Sequence, residues 1–398
     1  MTKLIVHKIN SADIYILGWL LTYIATSISP SKFGGVLLLL LGVWSACMFA
    51  YVLLTEKHPI PPLRCLNLLM ILLLLYGMVH LMRGEILIVY ATSTEIPPHN
   101  YIKTLLSSCI PIYAFYYFTQ KGLLTLQRIR FWSIISCFVA ILQYLCIKHN
   151  LFIDSLDSDF TNNAGYIVLS LFPLLAIWYD KTLIQFAIAI LIVFFTIMSA
   201  KRGAMLIAFL CLAFLIFYSI AKNKKNNKFG ILIIILIAIV ILYQFVLKQF
   251  SQNEYLISRL DSTIEGDSSE RDILYSFFLD YYFNVYDILH KLIGGGAEHT
   301  IEIYDNYAHN DWIEILINNG LLGFVIYLRY WIVLLKTWLH QRQTPLFYEA
   351  LGLFIIVYFC RTFFSMSYSD ISIYSSIMLG YALCQLGNSS KNTLTDPI

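Results

Sequence analysis

Apolar runs of about 16–22 residues recur along almost the whole chain, separated by short polar stretches. Each run is long enough to carry a helix across a hydrocarbon core of ~30 Å. The pattern predicts twelve helical spans, at about 12–28, 33–54, 66–82, 103–119, 129–147, 164–179, 183–200, 203–221, 229–247, 313–335, 346–363 and 371–387. The longest polar stretch runs from Lys248 to Tyr307, which leaves no room for a separate soluble domain. Lys3, His7 and Lys8 precede the first run and no small-residue cleavage site follows it. That run is therefore expected to be an uncleaved first span and not a signal peptide.

Composition agrees with an all-α polytopic membrane protein. The chain is 59% hydrophobic and 13% charged, with a mean hydropathy of +0.71, whereas a soluble domain carries roughly 25% charged residues. The eight cysteines fall mostly inside apolar runs and form no CxxC, so neither a disulfide framework nor a cysteine metal site is expected. A soluble NTPase or a nucleic-acid binder has no support, because a GxGxxG, a P-loop and a metal-spaced histidine pair are all lacking. Asp157-Ser158-Asp159 has the D-x-D form that holds a divalent cation in many nucleotide-sugar transferases. It falls on the wrong side for a nucleotide sugar and reads better as a solvated acidic loop.

Basic residues set the orientation, since they favour cytoplasmic loops. Placing both termini inside puts fifteen of the 27 lysines and arginines on the cytoplasmic side, the Lys222–Lys228 cluster above all. Five of the 24 acidic residues fall there. Three regions result: residues 1–247 with spans one to nine, 248–312 as one long external loop, and 313–398 with spans ten to twelve and a short tail. The loop is rich in Tyr, Asp and Glu. Tyr255, Tyr275, Tyr281, Tyr282, Tyr286, Tyr304 and Tyr307 could stack on sugar rings or sit at the membrane–water interface, where Tyr is enriched.

Against that sidedness, Lys201 and Arg202 stand at the outer tip between the seventh and eighth spans. An anionic ligand there, such as the pyrophosphate of a lipid carrier, would account for two adjacent cations on the disfavoured face. Arg259, Arg271 and Arg361 lie on the same side, and guanidinium binds phosphate bidentately. Snorkelling or pairing with the many external carboxylates is the competing reading for each. Asp311 followed by Glu314 reads as a capping box opening the tenth span. His309 then sits just ahead of a helix N-terminus, where an imidazole can titrate near neutral pH and backbone donors can meet an anion. Arg329, within the tenth span, is assigned no role.

Three stretches together resemble the O-antigen polymerase and O-antigen ligase superfamily (Wzy- and WaaL-type). Ser199-Ala200-Lys201-Arg202-Gly203-Ala204 resembles its S-x-x-R-G/A turn. Ser269-Glu270-Arg271-Asp272-Ile273-Leu274, with Leu292-Ile293-Gly294-Gly295-Gly296 after it, is similar to the family's external arginine and the glycine pair that follows. His309-Asn310-Asp311-Trp312-Ile313-Glu314, continuing to Gly320-Leu321-Leu322-Gly323, resembles the H-N-x-x-L/I-E signature and its G-L-x-G ending. Asn162-Asn163-Ala164-Gly165-Tyr166 is a looser match, and Ile317-Asn318-Asn319-Gly320 lacks the acid that many members carry before that glycine. The resemblance covers residues 160–330 and implies a GT-C-like glycosyltransferase of the bacterial inner membrane. Its active site would face the periplasm, without metal or cofactor, and use an undecaprenyl-diphosphate-linked glycan. It implies catalytic roles for His309, Arg202 and Arg271, and substrate contacts from Lys201, Arg259, Asn310, Glu314 and Arg361. Membrane lipids and a chain-length regulator are the expected partners, and nucleic acid is not. A polymerase of oligosaccharide repeat units is the leading expectation. A ligase to lipid A core comes next, and a polysaccharide flippase or transporter is more remote.

Overall fold

The computed structural model describes residues 8–28, 32–89, 94–154, 164–199, 201–222, 244 and 271–395. The expected span 229–247, the acidic loop with Asp157 and Asp159, most of the Lys222–Lys228 cluster, Tyr255 and Arg259 lie outside the described residues.

The chain folds as α1 (Ser11–Ile28), α2 (Lys32–Thr55), α3 (Pro61–Arg83), a small hairpin, α4 (Asn100–Ser108), α5 (Pro111–Gln120), α6 (Leu126–Asp154), α7 (Ala164–Leu169) running into a 3-10 helix (Phe172–Trp178), α8 (Thr182–Met198) and α9 (Arg202–Lys222). After the undescribed stretch come α10 (Arg271–Asp280), a π-helical turn (Tyr281–Val285), α11 (Ile288–Ile293), α12 (His299–Tyr304), α13 (Asp311–His340), α14 (Pro345–Arg361) and α15 (Ile373–Thr395). Among the described residues, six helices are long and apolar enough to cross a membrane: Ser11–Ile28, Gly34–Thr55, Pro61–Arg83, Leu126–His149, Arg202–Lys222 and Asp311–His340. Ala164–Trp178 and Thr182–Met198 are shorter apolar segments. Large aliphatic side chains such as Leu39, Leu40 and Leu54 point away from the protein, a surface that lipid suits and water does not. The chain is a multi-pass, all-α membrane protein. Among the described residues the one departure is the hairpin of β1 (Leu87–Val89) and β2 (Thr94–Ile96), paired antiparallel with Leu87 opposite Ile96 and packed on Ile301 of α12.

Eleven of the twelve expected spans fall on helical segments, but three of them are interrupted. Prolines explain two of the breaks, since Pro starts a helix well and cannot continue one. Pro111 begins α5 after a turn at Cys109 and Ile110, and Pro173 turns α7 into the 3-10 helix. Backbone groups freed inside a bilayer need partners from the protein. Ser375 Oγ donates to the Ser170 carbonyl at 2.6 Å, Gln185 Nε2 to Leu175 O at 3.1 Å and Arg130 Nε to Ile177 O at 3.0 Å. The serine- and glycine-bearing face of α15 lies so close to α5 that a Cβ on Gly380 would meet Ile112 O at 2.5 Å.

The third interruption positions the site. Gly320 inside α13 has φ +64° and ψ −165°, values that split the helix into Asp311–Asn319 and Leu321–His340. The described part of the long loop is not irregular, because α10, α11 and α12 fold back onto this break.

Candidate active site

The first motif is a braced turn. Ser199 Oγ donates to Thr196 O at 2.6 Å and accepts from the Lys201 amide at 3.4 Å, closing α8 before α9 begins at Arg202. Gly165 leaves room for it, since a Cβ there would lie 2.2 Å from Ser199 Oγ. Gly203 likewise admits the Tyr166 hydroxyl and Phe364, each 2.9 Å from where its Cβ would be.

The second and third motifs lock together. The break at Gly320 strips the Ile317 and Asn318 carbonyls of helical donors. The glycine run replaces them: Gly295 N–H donates to Ile317 O at 3.0 Å, and Gly296 N–H to Asn318 O at 2.9 Å. Tyr286 O–H adds a bond to Ile317 O at 3.0 Å. Gly294 (φ +79°, ψ 179°) and Gly320 both occupy backbone regions that essentially only glycine adopts. A Cβ on Gly294 would meet Asn318 O at 2.4 Å, and one on Gly320 would meet Gly294 N at 2.5 Å. Tyr282 is also spent on the loop itself, donating to Lys291 O at 2.9 Å. Tyr282 and Tyr286 are therefore buried braces, and neither a sugar-stacking nor an interfacial surface.

Two buried carboxylates fix the start of α13, differently from the expected capping box. Asn310 is the N-cap, its side-chain oxygen accepting from the amides of Trp312 and Ile313 at 3.0 and 3.3 Å. Asp311 lies inside the helix and accepts from the Ser367 amide at 2.7 Å, Ser367 Oγ at 2.5 Å and the Tyr327 hydroxyl at 2.7 Å. Glu314 does not reach back to the cap. It accepts from the Ala308 amide at 2.7 Å, from Asn318 Nδ2 at 3.1 Å and from Thr300 Oγ1. With its oxygens so engaged and the residue wholly buried, Glu314 ties the segment before His309 to the helix. Among the described residues the hydrogen bonds of Glu314 are internal, to Thr300, Ala308 and Asn318. Asn310 is engaged in the same way, as the cap.

His309 sits between these anchors with φ +52°, in the left-handed region that costs most residues 1–2 kcal/mol. Such strain persists only where the surroundings enforce it. Here Ala308 is held by Glu314, and Asn310 is held by the helix it caps. The half-buried imidazole has no hydrogen-bond partner among the described residues. Burial chiefly, then Arg271, then Lys201, pushes its pKa down from 6.5 to about 4. The ring is therefore uncharged near neutrality, and two cations lie within electrostatic reach of it.

Arg271, the first residue of α10, has no carboxylate partner among the described residues, and Tyr166 lies within its reach. Arg361 lies 4.8 Å from the Tyr166 ring but is mostly committed. Its guanidinium holds Asp370 Oδ2 at 2.6 Å and Asp370 O at 3.2 Å, and the residue is buried. Arg202 neighbours the cluster through the braced turn, yet Lys201 is the member of the pair that acts on His309. Arg259 lies outside the described residues. Thr300, Tyr327 and Ser367 escaped the sequence reading, and Asp311 was expected only as a cap, because their partners are up to 56 residues away. Glu298 did too; burial and the Glu314 carboxylate raise its pKa to about 8, against a hydrogen bond from Tyr307 that lowers it. Among the described residues, no group of three or more His, Cys, Asp and Glu could hold a metal ion.

The result is a half-buried, neutral imidazole within electrostatic reach of two cations, at the end of the bundle where α9 and α13 begin. It suits an anion beside a hydroxyl that must lose a proton. No curated protein matches the chain. A family model described as O-Antigen ligase matches residues 187–328, a stretch that runs from α8 into α13 and contains all three motifs. Over that stretch the chain is similar to the O-antigen polymerase and ligase superfamily, as its motifs imply.

Proposed function

We propose that the protein is a glycosyltransferase that polymerises undecaprenyl-diphosphate-linked oligosaccharide repeat units at the periplasmic face of a bacterial inner membrane. The observation that carries the reading is the grouping of Lys201 and Arg271 around His309, an imidazole held uncharged by burial and by those same cations. An acceptor sugar hydroxyl attacks the anomeric carbon of the donor. As the new C–O bond forms, the bond to the diphosphate breaks, and the lipid diphosphate leaves with the electron pair. The hydroxyl proton passes to His309. Arg271, Lys201 and Arg202 meet the charge that builds on the departing diphosphate; loss of one such donor typically costs about 2.7–4 kcal/mol of transition-state stabilisation. A base of pKa about 4 is weak. A bound diphosphate offsets the two cations and raises the basicity of the ring, so the donor itself readies His309 for the acceptor.

His309→Ala and Arg271→Ala, each expressed and folded, should abolish long chains in a polymer-length assay, since a true general base contributes about 10²–10⁴-fold. Wild-type ladders from the folded double variant would end the proposal. The matched family's description favours a second reading, transfer of finished glycan to lipid A core. A labelled single repeat on its carrier separates them: extension indicates the polymerase, and appearance only on lipid A core the ligase.

A further inference from the structure

We propose that α11 and the turn before it lie in the bilayer interface at the site end of the molecule, with their apolar side chains among the lipid acyl chains. Helix α11 buries none of its residues. Ile288 is 80% exposed, and Leu289, Leu292 and Ile293 are exposed beside it, with Phe283 and Val285 just upstream. Polar groups occupy the remaining positions and are tied locally: Asp287 caps the helix and pairs with His290 at 2.8 Å, and Lys291 Nζ donates to Phe283 O at 2.7 Å. A short helix with this division of side chains rests in an interface, its apolar face roughly 5–10 Å deep at the headgroup–acyl boundary.

Its place in the fold identifies the occupant as lipid. The C-terminus of α11 is fastened to two transmembrane helices, by the Tyr76 hydroxyl of α3 on Ile293 O and by the Gly294–Gly320 contact with α13. At that level the surface of α13 changes character. Ile315 and Ile317 before the break are buried, whereas Leu321, Leu322 and Val325 after it are exposed. The neighbouring turns of α3 present Leu75, Met78 and Met82 outward. The apolar face of α11 therefore continues the lipid-facing surface of α3 and α13. On α10, by contrast, Asp272, Ser276 and Asp280 are exposed one turn apart and make a polar face suited to water.

The test is independent of any enzymatic activity. Leu289→Cys, Leu292→Cys and Ser276→Cys in the full chain are each labelled with an environment-sensitive fluorophore in phosphatidylglycerol–phosphatidylethanolamine vesicles. The labelled unsubstituted chain supplies the background from native cysteines. At positions 289 and 292 the emission should shift to the blue and be lost to nitroxide-bearing lipid but spared by aqueous iodide, with the opposite at position 276. Loss to iodide at 289 and 292 would overturn the proposal. So would protection from both quenchers, which would mean that a second copy or another protein covers the face. For variants that fail to fold, the unsubstituted chain is irradiated with a phospholipid carrying a diazirine in its acyl chain. The peptide spanning 288–293 should be labelled along with that spanning 321–328; label on the latter alone overturns the proposal.

Discussion

The charge state of His309 is set by three causes that act in one direction, which makes it a quantitative probe of the site. The depression from 6.5 to about 4 corresponds to roughly 3 kcal/mol against the imidazolium. Burial is the largest cause and Arg271 the next, so Arg271 accounts for no more than half of it. Arg271→Gln should therefore raise the midpoint by about one pH unit at most, to roughly 5. Inorganic pyrophosphate, which would offset Lys201 as well, should raise it further yet leave it below 6.5, because burial remains. Ring-carbon NMR of histidine-labelled protein in lipid nanodiscs reads this directly, with His309→Gln identifying the signal among the nine histidines. In kinetics, the acidic limb of kcat/KM, which reports the free enzyme, should lie below that of kcat, which reports the donor-bound enzyme. The linked stability has a definite sign. Between pH 6.5 and about 4 the unfolded chain takes up the proton and the folded one does not, so stability contributed here falls as pH drops through that window. A midpoint near 6.5 in the free protein, or one unmoved by both Arg271→Gln and pyrophosphate, would refute the reasoning.

Gly320→Ala and Gly294→Ala should each cost at least about 3 kcal/mol in reversible unfolding, from glycine-only backbone angles together with overlap of the new Cβ on backbone atoms. The double variant should lose less than the two costs combined, because both break one contact. His309→Gly should be inactive yet no less stable than wild type, and up to about 1 kcal/mol more stable in thermal unfolding, since glycine relieves the left-handed strain. Glu298→Gln should stabilise the protein by a few kcal/mol above pH 8 and little at pH 4. The folded carboxyl, with its pKa of about 8, keeps its proton where the unfolded one has released it. A melting curve whose pH dependence is unchanged by this substitution would contradict the burial argument.

The helices could be read because a bilayer forces every backbone group to be satisfied within an apolar segment of fixed length. The histidine stood out by its place just ahead of a helix start, and Lys201 and Arg202 by their adjacency at a turn between two apolar runs. What eluded the pattern was non-local. Asn310 and Asp311 are both good caps, and only the distant Ser367 and Tyr327 decide that Asp311 turns inward. Glu314 invited a substrate role until Thr300, Ala308 and Asn318 were seen around it. The interlock of Gly294 with Gly320 joins positions that sequence spacing alone cannot pair, although Pro111 and Pro173 carry a readable signal for the other two breaks.

The split in α13 also acts as a ruler. Nine helical steps separate Asp311 from Gly320, and at 1.5 Å each they put the start of the helix about 14 Å from the break. Adding or removing one turn of this short stem would shift the imidazole by about 5 Å relative to the break, with every side chain at the site unchanged.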